Sequence, residues 1–298
     1  MYTRMLIPLD GSKTAEQVLP YARFLAKGLA IPVSLLEVID PDAFTLLANP
    51  EQGRYIDTLL ADSAASSSAY LKTIAQSIQQ AQVKCLVETG KPEEVLIEHA
   101  AADKDTLIVM ATHGRSGFQR WLLGSVADKV LHGATNHLLL VRASEEGKTS
   151  GEAVLKTVIV PLDGSELAEQ VLPYVTDLAK RLKLQVILTR AYALPPAVEP
   201  DEYGTYTQDL IDKLEAEARE YLSVKVAALR EKGIQNVSSV VDLGYGAQEI
   251  IKLARNTPDN FIAMCTHGRS GVGRWVLGSV TERVVRHSGD PVLIIRAS

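Results

Sequence analysis

The sequence predicts an α/β protein of two tandem doubly wound domains, each a parallel sheet with helices on both faces. Three observations predict this class. Two long blocks of sequence occur twice, about 150 residues apart. Short apolar runs alternate with helical stretches along the chain, which is typical of β-α-β units. The run TLIVMAT (106–112) is apolar throughout, which is typical of a parallel strand buried on both faces.

The repeated blocks divide the chain into two domains. Residues 8–29 and 161–182 are identical at 16 of 22 positions, and residues 112–126 and 266–280 at 12 of 15. A period of 153 or 154 residues exceeds any solenoid unit and matches a common domain size. The length of 298 residues also favours two domains. The polar segment 144–154 is the expected linker, so the domains are predicted at 1–143 and 155–298.

The first copy begins with the apolar run RMLIPL, which predicts a buried strand. In the Asp10-Gly11-Ser12 segment that follows, Gly11 permits a sharp turn and Ser12 is a candidate helix N-cap. The next helix extends to about Leu29. Pro20 inside it predicts a kink, because proline removes a backbone donor, and Pro173 stands at the same place in the second copy.

The remaining elements alternate in both copies. In the first copy, the sequence predicts a strand at 31–39, a polar connection at 40–54, a helix to about 81, a strand at 83–90, a helix at 92–102, a strand at 106–112, a loop at 113–121, a helix at 124–134 and a strand at 137–143. In the second, it predicts strands at 157–162, 184–192, 237–244, 260–266 and 291–297, a long loop through 206, and helices at 167–182, 208–232, 247–255 and from about 278.

Composition excludes several classes of protein. The net charge of −5 argues against binding to nucleic acid, which needs a basic face. No segment has the length and apolarity of a membrane helix, and the N-terminus lacks a signal-peptide pattern. Cys85 and Cys265 occupy different positions in the two copies, which argues against a disulfide framework or a zinc site. Two reduced thiols favour a cytoplasmic protein.

Two groups of small and polar residues recur, one at the carboxyl end of the first predicted strand and one after the fourth. The carboxyl ends of strands are where doubly wound sheets bind ligands, and a glycine-rich helix start binds phosphate. The candidates are Pro8, Leu9, Asp10, His113, Gly114, Arg115, Gly117, Gly124, Ser125 and Val126 in the first copy, and Pro161, Leu162, Asp163, His267, Gly268, Arg269, Gly271, Gly278, Ser279 and Val280 in the second.

The chemistry of these candidates favours binding, with alternatives open at this point. Asp10 and Asp163 could accept a hydrogen bond from a ribose or from a metal-bound water. Arg115 and Arg269 could reach terminal phosphates or be solvated loop charges. The glycines could also serve only as turns and helix caps. The histidines have no orienting partner or nucleophile in the sequence, so no catalytic residue and no metal site is predicted. Phosphate-loop, dinucleotide, nucleophile-elbow and HExxH motifs are absent.

These residues resemble the universal stress protein family. The resemblance rests on PLDGS, THGRSG, LGSV and the closing strands LLLVR and VLIIR, and it covers both halves of the chain. It implies a five-stranded parallel sheet of order 3-2-1-4-5 in each domain. It also implies ATP or another adenine nucleotide, with or without Mg²⁺, bound by the pattern G-x2-G-x9-G-[ST]. Ala111 and Cys265 stand where that pattern has its first glycine, and Val38 and Ala191 are implied to line the base pocket.

The resemblance also implies a partner within the chain. Family domains pair through their fifth strands, so residues 137–141 are expected against 291–295 in an internal pseudo-dimer, and a homodimer of whole chains is left open. Three hypotheses follow for the function. The first is an ATP-binding stress-response or regulatory protein without strong turnover. The second is a slow Mg²⁺-dependent ATPase or phosphotransferase that uses Asp10. The third is a nucleotide-free scaffold, kept open by the missing first glycines.

Overall fold

The computed structural model describes residues 1–45, 56–79, 81–113, 123–144, 147–194, 204–266 and 277–296. Backbone contacts divide the chain into two units, Met1–Val154 and Leu155–Ser298, called unit 1 and unit 2 below. The predicted fold class is confirmed, since each unit is a sheet of parallel strands interleaved with helices. None of the helices in these ranges is both long and apolar enough to cross a membrane.

In unit 1 the five strands lie in the order β3-β2-β1-β4-β5, and all neighbouring pairs are parallel. The strands are β1 (Arg4–Pro8), β2 (Val33–Ile39), β3 (Val83–Thr89), β4 (Thr106–Ala111) and β5 (His137–Val141). The helices are α1 (Lys13–Glu16), α2 (Leu19–Leu29), α3 (Pro41–Thr45), α4 (Ile56–Gln76), α5 (Pro92–Ala101) and α6 (Ser125–Gly133).

Unit 2 repeats the arrangement, with the order β8-β7-β6-β9-β10. Its strands are β6 (Thr157–Pro161), β7 (Gln185–Tyr192), β8 (Val237–Leu243), β9 (Asn260–Cys265) and β10 (Val292–Ile295). Its helices are α7 (Glu166–Glu169), α8 (Val171–Leu182), α9 (Gly204–Glu231), α10 (Gly246–Arg255) and α11 (Ser279–His287). The predicted pairing of the two fifth strands concerns the arrangement of the units and stays a prediction.

The apolar runs form the core of each sheet. Every residue of β4 and of β9 is buried. This follows from their central position with helices on both faces, where a continuous apolar run gains free energy from the area it removes from water. The buried core therefore fixes where the strands β4 and β9 end. The loops that follow these strands begin at fixed positions.

The first helix of each copy is interrupted rather than kinked. In unit 1, α1 ends at Glu16 and α2 begins at Leu19, with Pro20 in the first turn of α2. The amides of Gln17 and Val18 turn to carbonyls three residues back, at 3.3 Å each. Pro20 has no N–H to offer the carbonyl of Glu16, so the helical ladder stops there and restarts.

The turn after β1 is built by one serine. Ser12 Oγ accepts a hydrogen bond from the Ala15 amide at 3.1 Å and donates to Asp10 Oδ1 at 2.6 Å. We therefore expect Ser12→Ala to lower the free energy of unfolding by about 1 kcal/mol, as for other N-cap deletions. Urea denaturation measures this. Ser165→Ala in unit 2 should cost as much, because Ser165 Oγ makes the same two bonds at 3.1 and 2.7 Å. A Ser12→Ala protein as stable as the wild type would contradict the capping role.

The segment predicted as a linker lies along α2 of unit 1. Ser144 donates its amide to Gln17 Oε1 at 2.8 Å, and Gln17 Nε2 donates back to the Ser144 carbonyl at 2.7 Å. Further along, Arg23 donates to the carbonyls of Thr149 and Gly151, and the Ala153 amide donates to the Pro20 carbonyl. The described part of this segment is therefore tied to the first unit.

Candidate functional site

A cavity of ≈ 770 Å³ opens at the carboxyl ends of β1, β2 and β4 in unit 1. All the predicted site residues of unit 1 that the structure describes line it: Pro8, Leu9, Asp10, Val38, Ala111, His113, Gly124, Ser125 and Val126. The predicted residues Gly114, Arg115 and Gly117 lie outside the described residues. The two repeated groups, one after β1 and one after β4, thus meet at one cavity, because the adjacent parallel strands β1 and β4 end at the same edge of the sheet.

Asp10 lies where β1 turns into α1. Its Oδ1 accepts hydrogen bonds from the amide and the hydroxyl of Ser12, at 3.0 and 2.6 Å. Gly11 between them has φ 78°, a left-handed conformation that favours glycine. The carboxylate is therefore held in one orientation at the wall of the cavity, and a carboxylate can accept more than the two bonds that Ser12 donates.

Gly124 brings the start of α6 against the end of β4. Its amide donates to the Thr112 carbonyl at 2.8 Å. A Cβ at this position would lie 3.0 Å from the Thr112 oxygen and 3.4 Å from His113 Cα, so a larger residue would push the two segments apart. The next amides, of Ser125, Val126 and Ala127, begin the helix and have no partner within it, and these three residues line the cavity. The positive end of the helix dipole adds to their attraction for an anion.

His113 follows β4 directly and contributes to the same wall. Its Nδ1 lies 3.0 Å from the hydroxyl of Thr112. The Ala143 amide donates to that hydroxyl at 3.4 Å, which links the loop to the segment after β5. This agrees with the interpretation of His113 as a hydrogen-bonded loop histidine. The contact with Thr112 fixes the Nδ1 side of the ring.

A polar cluster that the sequence did not predict lies on the β2 side of the cavity. The Tyr70 hydroxyl donates to Glu16 Oε1 at 3.3 Å, and Lys13 donates to Glu16 Oε2 at 2.7 Å. Burial raises the pKa of Tyr70 above its usual range, and the negative charges of Glu16, Glu37 and Asp10 raise it further. Glu37 itself is 7% exposed and lines the cavity with Tyr70. This end of the cavity is therefore acidic, whereas the α6 end is built to attract an anion.

A serine-rich face of α4 completes that wall. Ser63, Ser66, Ser67 and Tyr70 all line the cavity. Their spacing of three, four and seven residues places them on one face of a helix, which is the signal in the sequence that could have found them. Apolar lining comes from Leu36, Ile39, Leu96 and Met110, so the cavity offers apolar contacts as well as hydrogen bonds.

Unit 2 repeats the turn and the helix start. Asp163 Oδ1 accepts from the amide and hydroxyl of Ser165 at 2.9 and 2.7 Å, and the Gly278 amide donates to the Thr266 carbonyl at 2.8 Å. The other described candidates occupy equivalent positions: Pro161 at the end of β6 and Leu162 after it, Ala191 in β7, Cys265 at the end of β9, and Ser279 and Val280 at the start of α11. His267, Gly268, Arg269 and Gly271 lie outside the described residues.

Cys265 changes the space in unit 2. Its thiol lies 3.6 Å from the Ala168 carbonyl, is buried, and has a pKa that burial raises to about 12. In unit 1 the equivalents of Cys265 and Ala168 are Ala111 and Ala15, and both line the cavity. The sulfur therefore fills space that belongs to the cavity in unit 1. A thiol with so high a pKa is a packing group, not a nucleophile.

The polar cluster of unit 2 contains two cations, Lys225 and Arg190, at positions where unit 1 has none. Tyr221 donates to Glu169 Oε1 at 2.8 Å, as Tyr70 does to Glu16. Here, however, Lys225 donates to Glu169 Oε2 at 2.6 Å, and the Arg190 guanidinium lies 4.8 Å from the centre of the Tyr221 ring. Burial tends to raise the pKa of Glu169, but the hydrogen bonds from Lys225 and Tyr221 outweigh it and leave the pKa lowered.

Comparison with known proteins identifies the family. The sequence model of the universal stress protein family matches residues 1–142 and 155–296. The chain belongs to the universal stress protein family. One relative is a universal stress protein of Mycolicibacterium smegmatis, which is 22% identical over 301 residues and covers 98% of this chain and 96% of its own. Another is a universal stress protein of Mycobacterium tuberculosis, which is 22% identical over 310 residues and covers 99% of this chain and 97% of its own.

A universal stress protein of Methanocaldococcus jannaschii matches one half of this chain, with 28% identity over 147 residues, 49% of this chain and 85% of its own. Among solved structures, a universal stress protein from Archaeoglobus fulgidus shares the fold, with a TM-score of 0.66, 23% identity and coverage of 99% and 96%. The family model thus matches this chain twice, once in each half.

Proposed function

We propose that this universal stress protein binds an adenine nucleotide, ATP, in the cavity of unit 1 and acts as a stress-response or regulatory protein without strong turnover. One observation carries the proposal. The held carboxylate of Asp10 and the start of α6 behind Gly124 face one cavity at the ends of adjacent central strands.

The cavity fits a nucleotide in size and chemistry. Its volume of ≈ 770 Å³ falls within the range of small-molecule sites. The phosphates would lie against the amides of Ser125 and Val126, and the close packing at Gly124 holds those amides in place. A ribose hydroxyl would donate to Asp10. The base would lie near Val38 on β2, two strand spacings or about 10 Å from β4.

The groups that line the cavity support binding more than turnover. Its described ionisable side chains are Asp10, Glu37, Asp40, Tyr70 and His113. Asp10 is held by Ser12 and His113 by Thr112, and no described residue forms the pair of a base and a nucleophile that acid–base catalysis needs. The described residues contain no group of three His, Cys, Asp or Glu side chains placed to hold a metal. Any Mg²⁺ would therefore enter on the nucleotide phosphates.

The proposal is tested by the contents of the purified protein. The protein is denatured, and the supernatant is run on an ion-exchange column against nucleotide standards. We expect ATP near one molecule per chain, and the same protein stripped of nucleotide should give a calorimetric response to Mg-ATP. Mostly ADP would favour the slow ATPase instead. An empty protein without a calorimetric response would overturn the proposal in favour of the scaffold.

Cys265→Ala tests the account of unit 2. The substitution places an alanine where unit 1 has Ala111. It also removes the sulfur from the position that corresponds to the cavity wall of unit 1. We expect ATP to bind at a second site at least about tenfold more tightly than in the wild type, because a steric obstruction is removed. Titration calorimetry of the full chain measures it. Cys85→Ala, which changes a half-buried thiol of β3 that does not line the cavity, is the control. Equal second-site affinity in both variants would show that Cys265 does not limit the site.

The remaining predictions from the sequence are unchanged. The pseudo-dimer through the fifth strands, the homodimer and the cytoplasmic location stay predictions. The proposed stress-response role rests on family membership. The proposed nucleotide binding rests on the geometry of the cavity.

A further inference from the structure

The two units place opposite charges at one equivalent position. In β2, Leu36 pairs with Pro8, and in β7, Thr189 pairs with Pro161. The next residue along each strand is Glu37 in unit 1 and Arg190 in unit 2. The register of the sheet thus shows that these two residues correspond, and that a carboxylate in one unit is a guanidinium in the other.

Glu37 and Arg190 act on equivalent tyrosines, Tyr70 in unit 1 and Tyr221 in unit 2. Burial raises the pKa of both Tyr70 and Tyr221; the charge of Glu37 adds to the rise at Tyr70, whereas Arg190, 4.8 Å from the Tyr221 ring centre, works against it at Tyr221. A second difference accompanies the first. Lys225 stands four residues after Tyr221, where Ile74 stands four residues after Tyr70. The wall of unit 1 therefore combines Asp10, Glu16 and Glu37 with Lys13, and the wall of unit 2 combines Asp163 and Glu169 with Arg190 and Lys225. Glu166 takes the place of Lys13 in unit 2, so the two walls differ less in net charge than in where their positive charges lie.

This difference lies at the nucleoside end of the proposed ligand. Glu37 lines the cavity beside Val38 and is 7% exposed, so a charge on it is poorly screened by water. The α6 start, where the 5′-phosphates would bind, lies after β4, two strands away. Asp10 and Glu37 both act on Tyr70, so a phosphate added to a ribose at Asp10 would lie near a second carboxylate in unit 1. In unit 2 the group that acts on Tyr221 together with Asp163 is the guanidinium of Arg190, with Lys225 beside it. Like charges close together in a buried site repel strongly, and opposite charges attract.

We propose that Glu37 makes unit 1 select a nucleotide whose ribose hydroxyls are free, and that Arg190 and Lys225 make unit 2 favour a nucleotide that carries a phosphate on its ribose. The inference rests on the proposed function of unit 1. It adds that the two sites are not copies in ligand preference, although the turn after the first strand and the helix start after the fourth are the same in both. A guanidinium is suited to phosphate because its planar donors match two oxygens at once.

The test compares two probes on the full chain: AMP, and adenosine 2′,5′- or 3′,5′-bisphosphate. Each displaces labelled ATP in equilibrium dialysis. At the ATP site of the wild type we expect AMP to bind at least about tenfold more tightly than either bisphosphate. Glu37→Gln should bring the two affinities close together, and Glu37→Arg should reverse their order. In the Cys265→Ala background, which opens the equivalent space in unit 2, direct titration with labelled bisphosphate should detect a second site that Arg190→Met removes.

Matched controls separate charge at this position from charge elsewhere. Lys232→Glu changes an exposed residue directly after α9 and should leave every ratio unchanged. Thermal melting of each variant shows that it is folded. If ATP binds but Glu37→Gln and Glu37→Arg leave the ratio of AMP to bisphosphate as in the wild type, the inference is wrong while the proposed function stands. If neither ATP nor AMP binds, the proposed function itself has failed.

Discussion

Gly124→Val is expected to abolish nucleotide binding by unit 1. A Cβ there would lie 3.0 Å from the Thr112 oxygen, and the two further methyl groups of valine need still more space. The start of α6 must then move away from β4, and the amides of Ser125 and Val126 move with it. Two backbone hydrogen bonds to a charged group contribute about 3 kcal/mol or more, so the affinity for ATP should fall at least about a hundredfold.

Titration calorimetry of nucleotide-stripped protein measures the loss, and thermal melting checks that the variant is folded. Gly246→Val is the matched control, because a Cβ there lies 3.8 Å from Val280, an ordinary contact, and the residue begins a helix of unit 2. We expect it to leave ATP binding to unit 1 intact. A folded Gly124→Val protein with the wild-type affinity would show that the phosphates do not lie at α6.

Asp10→Ala should weaken ATP binding by unit 1 about tenfold to a hundredfold. It removes the acceptor proposed for a ribose hydroxyl, and a hydrogen bond to a charged group contributes about 1.5–3 kcal/mol. It also removes the partner of the amide and hydroxyl of Ser12, so the free energy of unfolding should fall by about 1 kcal/mol as well. Calorimetry and urea denaturation measure the two effects separately.

The chain carries its own control for this change. Asp163 makes the same two bonds to Ser165, so Asp163→Ala should cost the same stability while leaving the ATP site of unit 1 unchanged. Equal losses of stability with no loss of ATP affinity in either variant would mean that Asp10 only builds the turn.

The sequence predicted those parts of the site that depend on residues close together in the chain. Asp10 and Ser12 lie two residues apart in a repeated block, and Gly124 begins a helix that its own neighbours specify. Their convergence followed from parallel strands alone, since adjacent strands end at the same edge. The loop residues of the same blocks, such as Arg115 and Arg269, lie outside the described residues, so their roles stay predictions.

Contacts between distant segments could not be read in the same way. Glu16 and Tyr70 are 54 residues apart and meet only because α4 packs beside β2. Glu37 is one polar residue in an apolar strand, and the repeat alone matches it to Arg190; that both act on a tyrosine of a distant helix came from the structure. Periodicity identifies which face of a helix is buried, but it does not identify the partner of that face.

The ends of some helices differ from those predicted, at points where backbone amides bond to a different carbonyl than in a regular helix. The helix predicted to reach about residue 81 ends at Gln76, because the amides of Ser77 and Ile78 bond to carbonyls three residues back and tighten the last turn. Its counterpart α9 begins at Gly204, four residues before the predicted start. Such ends depend on a choice between two nearby carbonyls, which differ too little in energy for composition to decide.

A crystal structure of the protein soaked with ATP tests the central claim most directly. The account predicts a triphosphate within hydrogen-bond distance of the amides of Ser125 and Val126, a ribose hydroxyl on Asp10, and the base beside Val38. A cavity that stays empty at saturating ATP, or ATP bound elsewhere on the chain, would contradict it.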